Sequence, residues 1–108
     1  MAKIYVAGPM TGLPDFNYPA FHEAQDMLEE SGWEVVSPAA DERGEKVDPP
    51  TEDEALPHAH YLRVGLRKLL DCDEIYLLPG WEMSRGAVLE LSIADALGMG
   101  VNFHNPGA

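Results

Sequence analysis

Apolar and polar positions along this chain fall into blocks whose period changes from two to nearly four. Lys3-Ile4-Tyr5-Val6-Ala7 is a β-branched and apolar run that ends at Gly8-Pro9. It predicts a first strand, central in its sheet and buried on both faces. Phe21, Ala24 and Leu28 then recur at helical spacing with Met27 beside them, and Glu23, Asp26, Glu29 and Glu30 fill the outer face. That pattern predicts a helix starting at Pro19, capped by Asn17 or Tyr18 and ended by Gly32. Trp33–Val36 reads as a second strand closed by Pro38.

Periodicity is lost between Ala39 and Pro57, a stretch that carries Pro49, Pro50, Pro57 and a cluster of acids from Asp41 to Glu54. It returns at His58–Leu70, where Leu62, Leu66, Leu69 and Leu70 share one helical face. Gly65 lies inside that helix at a cost of roughly 1 kcal/mol relative to alanine. Asp73-Glu74 opens a buried strand, Ile75–Leu78; a helix over Ala87–Leu97 follows, with Ser84 as its N-cap and Gly98 as its C-cap, and Val101–Phe103 is a last short strand. Strands alternating with helices imply a parallel sheet with right-handed crossovers. The expected fold is one α/β domain over residues 1–108, Rossmann-like (flavodoxin-like), with a four- to five-stranded parallel sheet flanked by helices. No internal repeat and no second domain interrupts the order. The stretch 39–57 is either a solvated loop or a mobile acidic lid beside a pocket.

Composition narrows the function classes. The chain has 108 residues, enough for one modest core, and 45% are hydrophobic. Nineteen acidic residues against 7 basic give a formal net charge of −12, which argues against a nucleic-acid backbone as partner. A small nucleotide held by backbone amides is compatible with it. The single Cys72 forms no internal disulfide and has no basic neighbour to favour its thiolate, so a reducing compartment and a structural thiol are expected. No run is long enough to span a membrane and no signal-peptide pattern opens the sequence, so a soluble cytoplasmic protein is expected.

One residue is out of place. On a wheel of about 100° per residue starting at Arg85, Ser92 and Asp95 share the polar arc, and Ala87, Ile93, Ala94 and Leu97 the opposite one. Glu90 falls at roughly 140°, among the apolar residues. Its neighbours one turn away are Gly86, Ala87, Ile93 and Ala94, so no basic residue of its own helix can pair with it. Helical side chains lean toward the N-terminus, which aims Glu90 at the loop leaving the strand, where open α/β sheets bind ligands. The alternative is a buried glutamate bonded to backbone amides or a hydroxyl, although carboxylates are rarely buried without a partner or a task.

Other candidates are weaker. Gly8-Pro9-Met10-Thr11-Gly12 makes a tight turn whose glycines allow close approach to the backbone, but it is neither a Walker loop nor a dinucleotide fingerprint. Trp81 is either a lid over an aromatic ligand or a packing residue. His22, His58, His60 and His104 stand at no familiar ligand spacing, so no metal is expected.

Taken together, Ile4-Tyr5-Val6-Ala7-Gly8-Pro9 resembles the opening of the nucleoside 2-deoxyribosyltransferases. Ser84-Arg85-Gly86-Ala87-Val88-Leu89-Glu90 resembles their segment of a polar residue, a glycine and a glutamate six residues after the polar one. The 2′-deoxynucleoside 5′-monophosphate N-glycosidases share that spacing. Leu77–Ala87 is also similar to a Leu-Leu-Pro-Gly-Trp-Glu-x-Ser-x-Gly-Ala segment of small phage and bacterial proteins of unassigned function. The resemblance covers residues 3–21 and 61–100. It implies cleavage or transfer at an N-glycosidic bond without a cofactor, in a homo-oligomer whose partner is a small nucleoside or nucleotide. Glu90 would be the nucleophile, Tyr5 would orient it, and Ser84 would bind a 5′-phosphate. Gly8, Pro9, Met10, Thr11 and Gly12 with Asn17 would line the sugar or phosphate side, beside Trp81 and Gly86.

The chain departs from that pattern at one place. The family sets a second aspartate eight residues before the aspartate that opens the following strand, and counting back from Asp73 gives Gly65. A chain without that carboxylate could instead be a nucleotide-binding module of the same fold, and Gly65→Asp is the substitution that would restore it. Relatives also complete the site from a neighbouring subunit's C-terminus, for which this chain offers only His104 and Asn105.

Overall fold

In the computed structural model, which describes residues 2–104, the first strand, β1 (Lys3–Ala7), lies inside a four-stranded parallel sheet. On one side it pairs with β2 (Glu34–Val36) and on the other with β3 (Glu74–Leu77), which pairs in turn with β4 (Gly100–Phe103). The order β2-β1-β3-β4 means that the chain moves one way after β1 and the other way after β2. A crevice therefore opens between β1 and β3 at their carboxyl ends, the place where sheets of this kind hold ligands.

The helices divide between the two faces. Helix α1 (Tyr18–Glu30) buries Tyr18, Phe21, Ala24 and Leu28 against Ile4, Val6, Val35, Tyr76 and Leu78. Helices α2 (His58–Leu70) and α3 (Arg85–Ala96) cover the other face, where Leu69, Ala87 and Ala94 meet Tyr5, Ala7, Ile75 and Leu77. Alternation along β1 thus sends Ile4 and Val6 to α1, and Tyr5 and Ala7 to α2 and α3. No helix among the described residues is long and apolar enough to cross a membrane.

Element boundaries follow the sequence pattern, and the differences have local causes. Helix α2 spans the expected residues. Helix α3 begins at Arg85 because the Ser84 side chain accepts a hydrogen bond from the Ala87 amide at 3.2 Å and closes the first turn. Strand β3 ends at Leu77, although the Leu78 amide still donates to the Ala7 carbonyl at 2.9 Å.

Asn17 stands at the N-cap of α1 but does not cap it: its backbone is left-handed (φ 61°) and its side-chain amide donates to the Pro9 carbonyl at 2.9 Å. Asp15 and Phe16, both at φ 52°, share that left-handed conformation in a 3₁₀ turn over Pro14–Asn17 that periodicity does not announce. Asp and Asn tolerate it; a phenylalanine does so at a cost of roughly 1–2 kcal/mol.

Half of the aperiodic stretch is tied down. Ala40 and Lys46 form an antiparallel bridge, and the Asp41 carboxylate accepts from the Arg43 and Glu45 amides. Lys68 of α2 donates to the carbonyls of Ser37 and Ala40, and Ala39 and Ala40 are buried.

Candidate active site

Glu90 is 7% exposed, on the buried side of α3 with Gly86, Ala87 and Ala94. Its Oε2 accepts a hydrogen bond of 2.7 Å from the hydroxyl of Tyr5, 85 residues away in the chain and itself 1% exposed. Burial pushes the Glu90 carboxyl up to about 7, and the hydrogen bond from Tyr5 works against that rise. Tyr5 is held well above the ordinary tyrosine range by its own burial and by the charge and hydrogen bond of Glu90. A carboxyl that is desolvated, paired to one hydroxyl and half-ionised near neutrality suits either nucleophilic or proton-transfer work.

The pair opens onto a cleft of about 200 Å³, room for a small ligand rather than for one or two waters. Three walls make it. The end of β1 and the turn after it supply Ala7, Gly8, Met10, Thr11 and Phe16; the start of α1 supplies Tyr18 and Phe21. Pro38, Pro50 and Leu56 come from the stretch between β2 and α2, and His58, Tyr61 and Leu62 from α2 itself. Ser84, Gly86, Ala87 and Glu90 form the third wall at the N-terminal end of α3.

Of the residues singled out in the sequence, Tyr5, Gly8, Met10, Thr11, Ser84, Gly86 and Glu90 come together here. Pro9, Gly12, Asn17 and Trp81 do not line the cleft. Pro9 serves through its carbonyl, which holds Asn17. Gly12 supplies the turn (φ +82°) and has nothing within 4 Å of the place a Cβ would take. Trp81 is half-buried against the core cluster under α2 and α3 and tilts against Phe103 at 5.7 Å, so its packing role is the one the geometry favours.

Two glycines of the cleft also answer to packing. A Cβ on Gly8 would lie 2.8 Å from the Leu78 Cβ, so glycine there lets β1 and the end of β3 close together. Gly86 leaves no open room above Glu90, because His58 and Leu62 of α2 stand 3.6 and 3.7 Å from the place its Cβ would take.

Phe16, Tyr18, Phe21, His58 and Tyr61 line the cleft, yet sequence reasoning gave them no part in it. His58 was weighed there only as a metal ligand. The one signal for Phe21 and Tyr61 was helical position, which says that a residue faces inward but not that it meets a cleft.

The remaining candidates are occupied elsewhere. His22 bonds the Ala39 carbonyl at 3.1 Å, and Nδ1 of His104 lies 2.7 Å from the Tyr76 hydroxyl within the same chain. Asn105 lies outside the described residues. Asp73 accepts from the Lys3 amide at the far end of the sheet. No group of three or more His, Cys, Asp or Glu among the described residues could hold a metal ion. The Cys72 thiol donates to the Lys68 carbonyl, and burial pushes it up to about 11, the state of an inert structural thiol.

With this geometry in hand, comparison with known proteins gives a family and a fold. The family described as "Domain of unknown function (DUF4406)" matches residues 2–103, and this chain belongs to it. No curated protein matches. Among solved structures, the chain is similar to the 2-desoxiribosyltransferase from Leishmania mexicana, with a TM-score of 0.65 and 20% identity over 95% of this chain. It spans 63% of the length of that protein. The likeness establishes a deoxyribosyltransferase-like fold: a single α/β domain with a four-stranded parallel sheet flanked by three helices.

Proposed function

We propose that this protein cleaves or transfers at the N-glycosidic bond of a 2′-deoxynucleoside or its 5′-monophosphate, with Glu90 as the nucleophile. The observation that carries the reading is the 2.7 Å hydrogen bond from Tyr5 to a buried glutamate at the edge of a ligand-sized cleft. The fold shared with a 2-desoxiribosyltransferase is consistent with it.

In this reading the ionised Glu90 attacks C1′ of the sugar as the C1′–N bond breaks. The bond's electron pair leaves with the base, which takes up a proton from solvent. The developing oxocarbenium charge is stabilised by the carboxylate and collapses to a glycosyl ester. Attack at C1′ by water or by a second base breaks the ester bond, returns a proton to solvent, restores the carboxylate and releases free sugar or a new nucleoside. Tyr5 fixes which oxygen of Glu90 faces the ring. Phe16, Tyr18, Phe21 and Tyr61 exclude water from one side of the cleft and offer flat apolar surface to a base. Neither Lys nor Arg lines the cleft among the described residues. A 5′-phosphate would therefore rest on the Ser84 hydroxyl, the first-turn amides of α3 and His58. Gly8, Pro9, Met10, Thr11, Gly12 and Asn17 belong to the turn proposed for the sugar or phosphate side. Exposed Val101 and Phe103 on the edge strand β4 support self-association, which sizing by light scattering would check.

A second reading has its own observation. The α2 position that carries a carboxylate in the resembled family is Gly65 here, and Glu90 is the only carboxylate lining the cleft among the described residues. A site of that kind could hold a nucleotide without turning it over.

Free base released from a panel of deoxynucleosides and their monophosphates, with and without an acceptor base, separates the two. Release that disappears in Glu90→Ala is the expected result, and dependence on acceptor distinguishes transfer from hydrolysis. Binding without release from any substrate would replace the first reading by the second.

A further inference from the structure

Gly65 sits in the middle of α2, where glycine lowers helix stability and no turn or cap requires it. Its φ is not left-handed, and it is buried. The reason for glycine must therefore be spatial. A Cβ at this position would lie 2.7 Å from Glu90 Oε2 and 2.7 Å from the Tyr5 hydroxyl, closer than real Cβ atoms approach either. Gly86, the other glycine between α2 and α3, differs: a Cβ there would meet only ordinary contacts of 3.6 Å and more.

We propose that Gly65 is a positioning residue: the space left by its missing side chain is where the Tyr5 hydroxyl and the Glu90 carboxylate meet. This rests on the reading of Glu90 as the reactive group. A Cβ at 65 meets the Tyr5 hydroxyl and the Glu90 carboxylate at the same short distance, so any side chain there must push one away from the other. The site is thus built for one carboxylate. Gly65→Asp does not restore a lost partner; it parts the pair that is there.

The test is a double-mutant cycle read by thermal unfolding, which needs no substrate. If Gly65 were an ordinary helix glycine, Gly65→Ala would raise Tm by about 5 °C in any background. The proposal expects Gly65→Ala to lower Tm in the parent, and to raise it by about 5 °C in a Tyr5→Phe/Glu90→Ala background, where the contested space is free. A rise in both backgrounds overturns the proposal, and so does a fall in both. If Gly65→Ala does not fold alone, recovery of folding in the double-variant background supports the proposal and failure to recover overturns it.

A second readout follows the Glu90 carboxyl by carbon NMR, in a cleft it shares with Tyr5, Tyr18, His58 and Tyr61. Its titration midpoint is expected to shift in Gly65→Ala, because the carboxylate leaves its buried place and the Tyr5 bond is lost. An unchanged midpoint overturns the proposal. A chain that passes these tests and releases no base has lost only the enzymatic reading; one that releases base and fails them has lost only the role of Gly65.

Discussion

Two helices of this protein each bury one polar side chain, and the two are treated differently. Gln25 of α1 is 2% exposed; its amide nitrogen donates to the Gly44 carbonyl at 2.7 Å and to Glu29 at 3.2 Å. It ties the outer helix to the turn at residues 41–46 and stays neutral at every pH. Glu90 of α3 is nearly as buried, but it carries an ionisable group, takes one hydroxyl as partner and faces a cleft. Through its nitrogen the amide satisfies a backbone carbonyl, a structural use that holds even though its Oε1 is buried without a partner. A buried carboxyl raised to about 7 costs stability whenever it is ionised, and that cost needs a function to offset it.

The strongest way to break this contrast is to remove each group. Glu90→Ala is expected to lower base release by at least about 10³-fold, whereas Gln25→Ala leaves it within about twofold. Equal losses from both, with both variants folded, would show that Glu90 has no chemical role. In the parent, release is expected to rise with pH through about 7, as the Glu90 carboxyl ionises. A profile flat from pH 5 to 9 would contradict a Glu90 nucleophile.

The next effect concerns stability. Burial raises the folded-state value of Glu90 above its unfolded value, so the protonated form is favoured by folding. The parent therefore loses stability from this group as pH climbs from 4.5 to about 7, and the loss levels off above that. Glu90→Gln should be more stable than the parent by about 3 kcal/mol at pH 8, a gain that fades as pH falls from about 7 to 4.5. Urea unfolding at the two pH values measures it, and a gain independent of pH would trace the effect to packing instead.

Gln25→Ala should cost between about 1 and 2 kcal/mol at both pH values, because the Gly44 carbonyl loses its donor while the unpaired Oε1 of Gln25 is removed with it. The smallest expected effect is at the cap of α3. Ser84→Ala leaves the Ala87 amide without its acceptor and should cost about 1 kcal/mol in the same assay. A larger loss of affinity for monophosphates than for nucleosides in that variant would assign Ser84 a second role at the phosphate.

Much of this contrast was legible in the chain itself. The periods of Lys3–Ala7, Phe21–Leu28 and Leu62–Leu70 specify strand, helix and helix because burial acts on side chains at fixed local spacings. The same logic places Glu90 inward without reference to any other element, since its helical phase depends only on residues within two turns. Ser84, Gly32 and Gly98 announce the ends of helices through chemistry that is equally local.

What periodicity cannot carry is which inward-facing groups meet. The partner of Glu90 is Tyr5, on the first strand, and only the order β2-β1-β3-β4 brings β1 beneath α2 and α3. Gly65 looked like a helix position that had lost a carboxylate, because the sequence does not contain the 2.7 Å that separates its missing Cβ from Tyr5 and Glu90. Gly8 lines the cleft, and the sequence does not show that its missing Cβ also lets Leu78 close against it. Phe16 was invisible because its left-handed backbone is imposed by the turn around it rather than preferred by the residue. The sequence alone determined the elements, their order and the inward glutamate. Resemblance, not periodicity, named Tyr5 beside it; the tertiary structure decided the hydrogen bond they make, the space they share and the walls around them, because contacts between residues far apart in the chain are set by topology and packing rather than by local spacing.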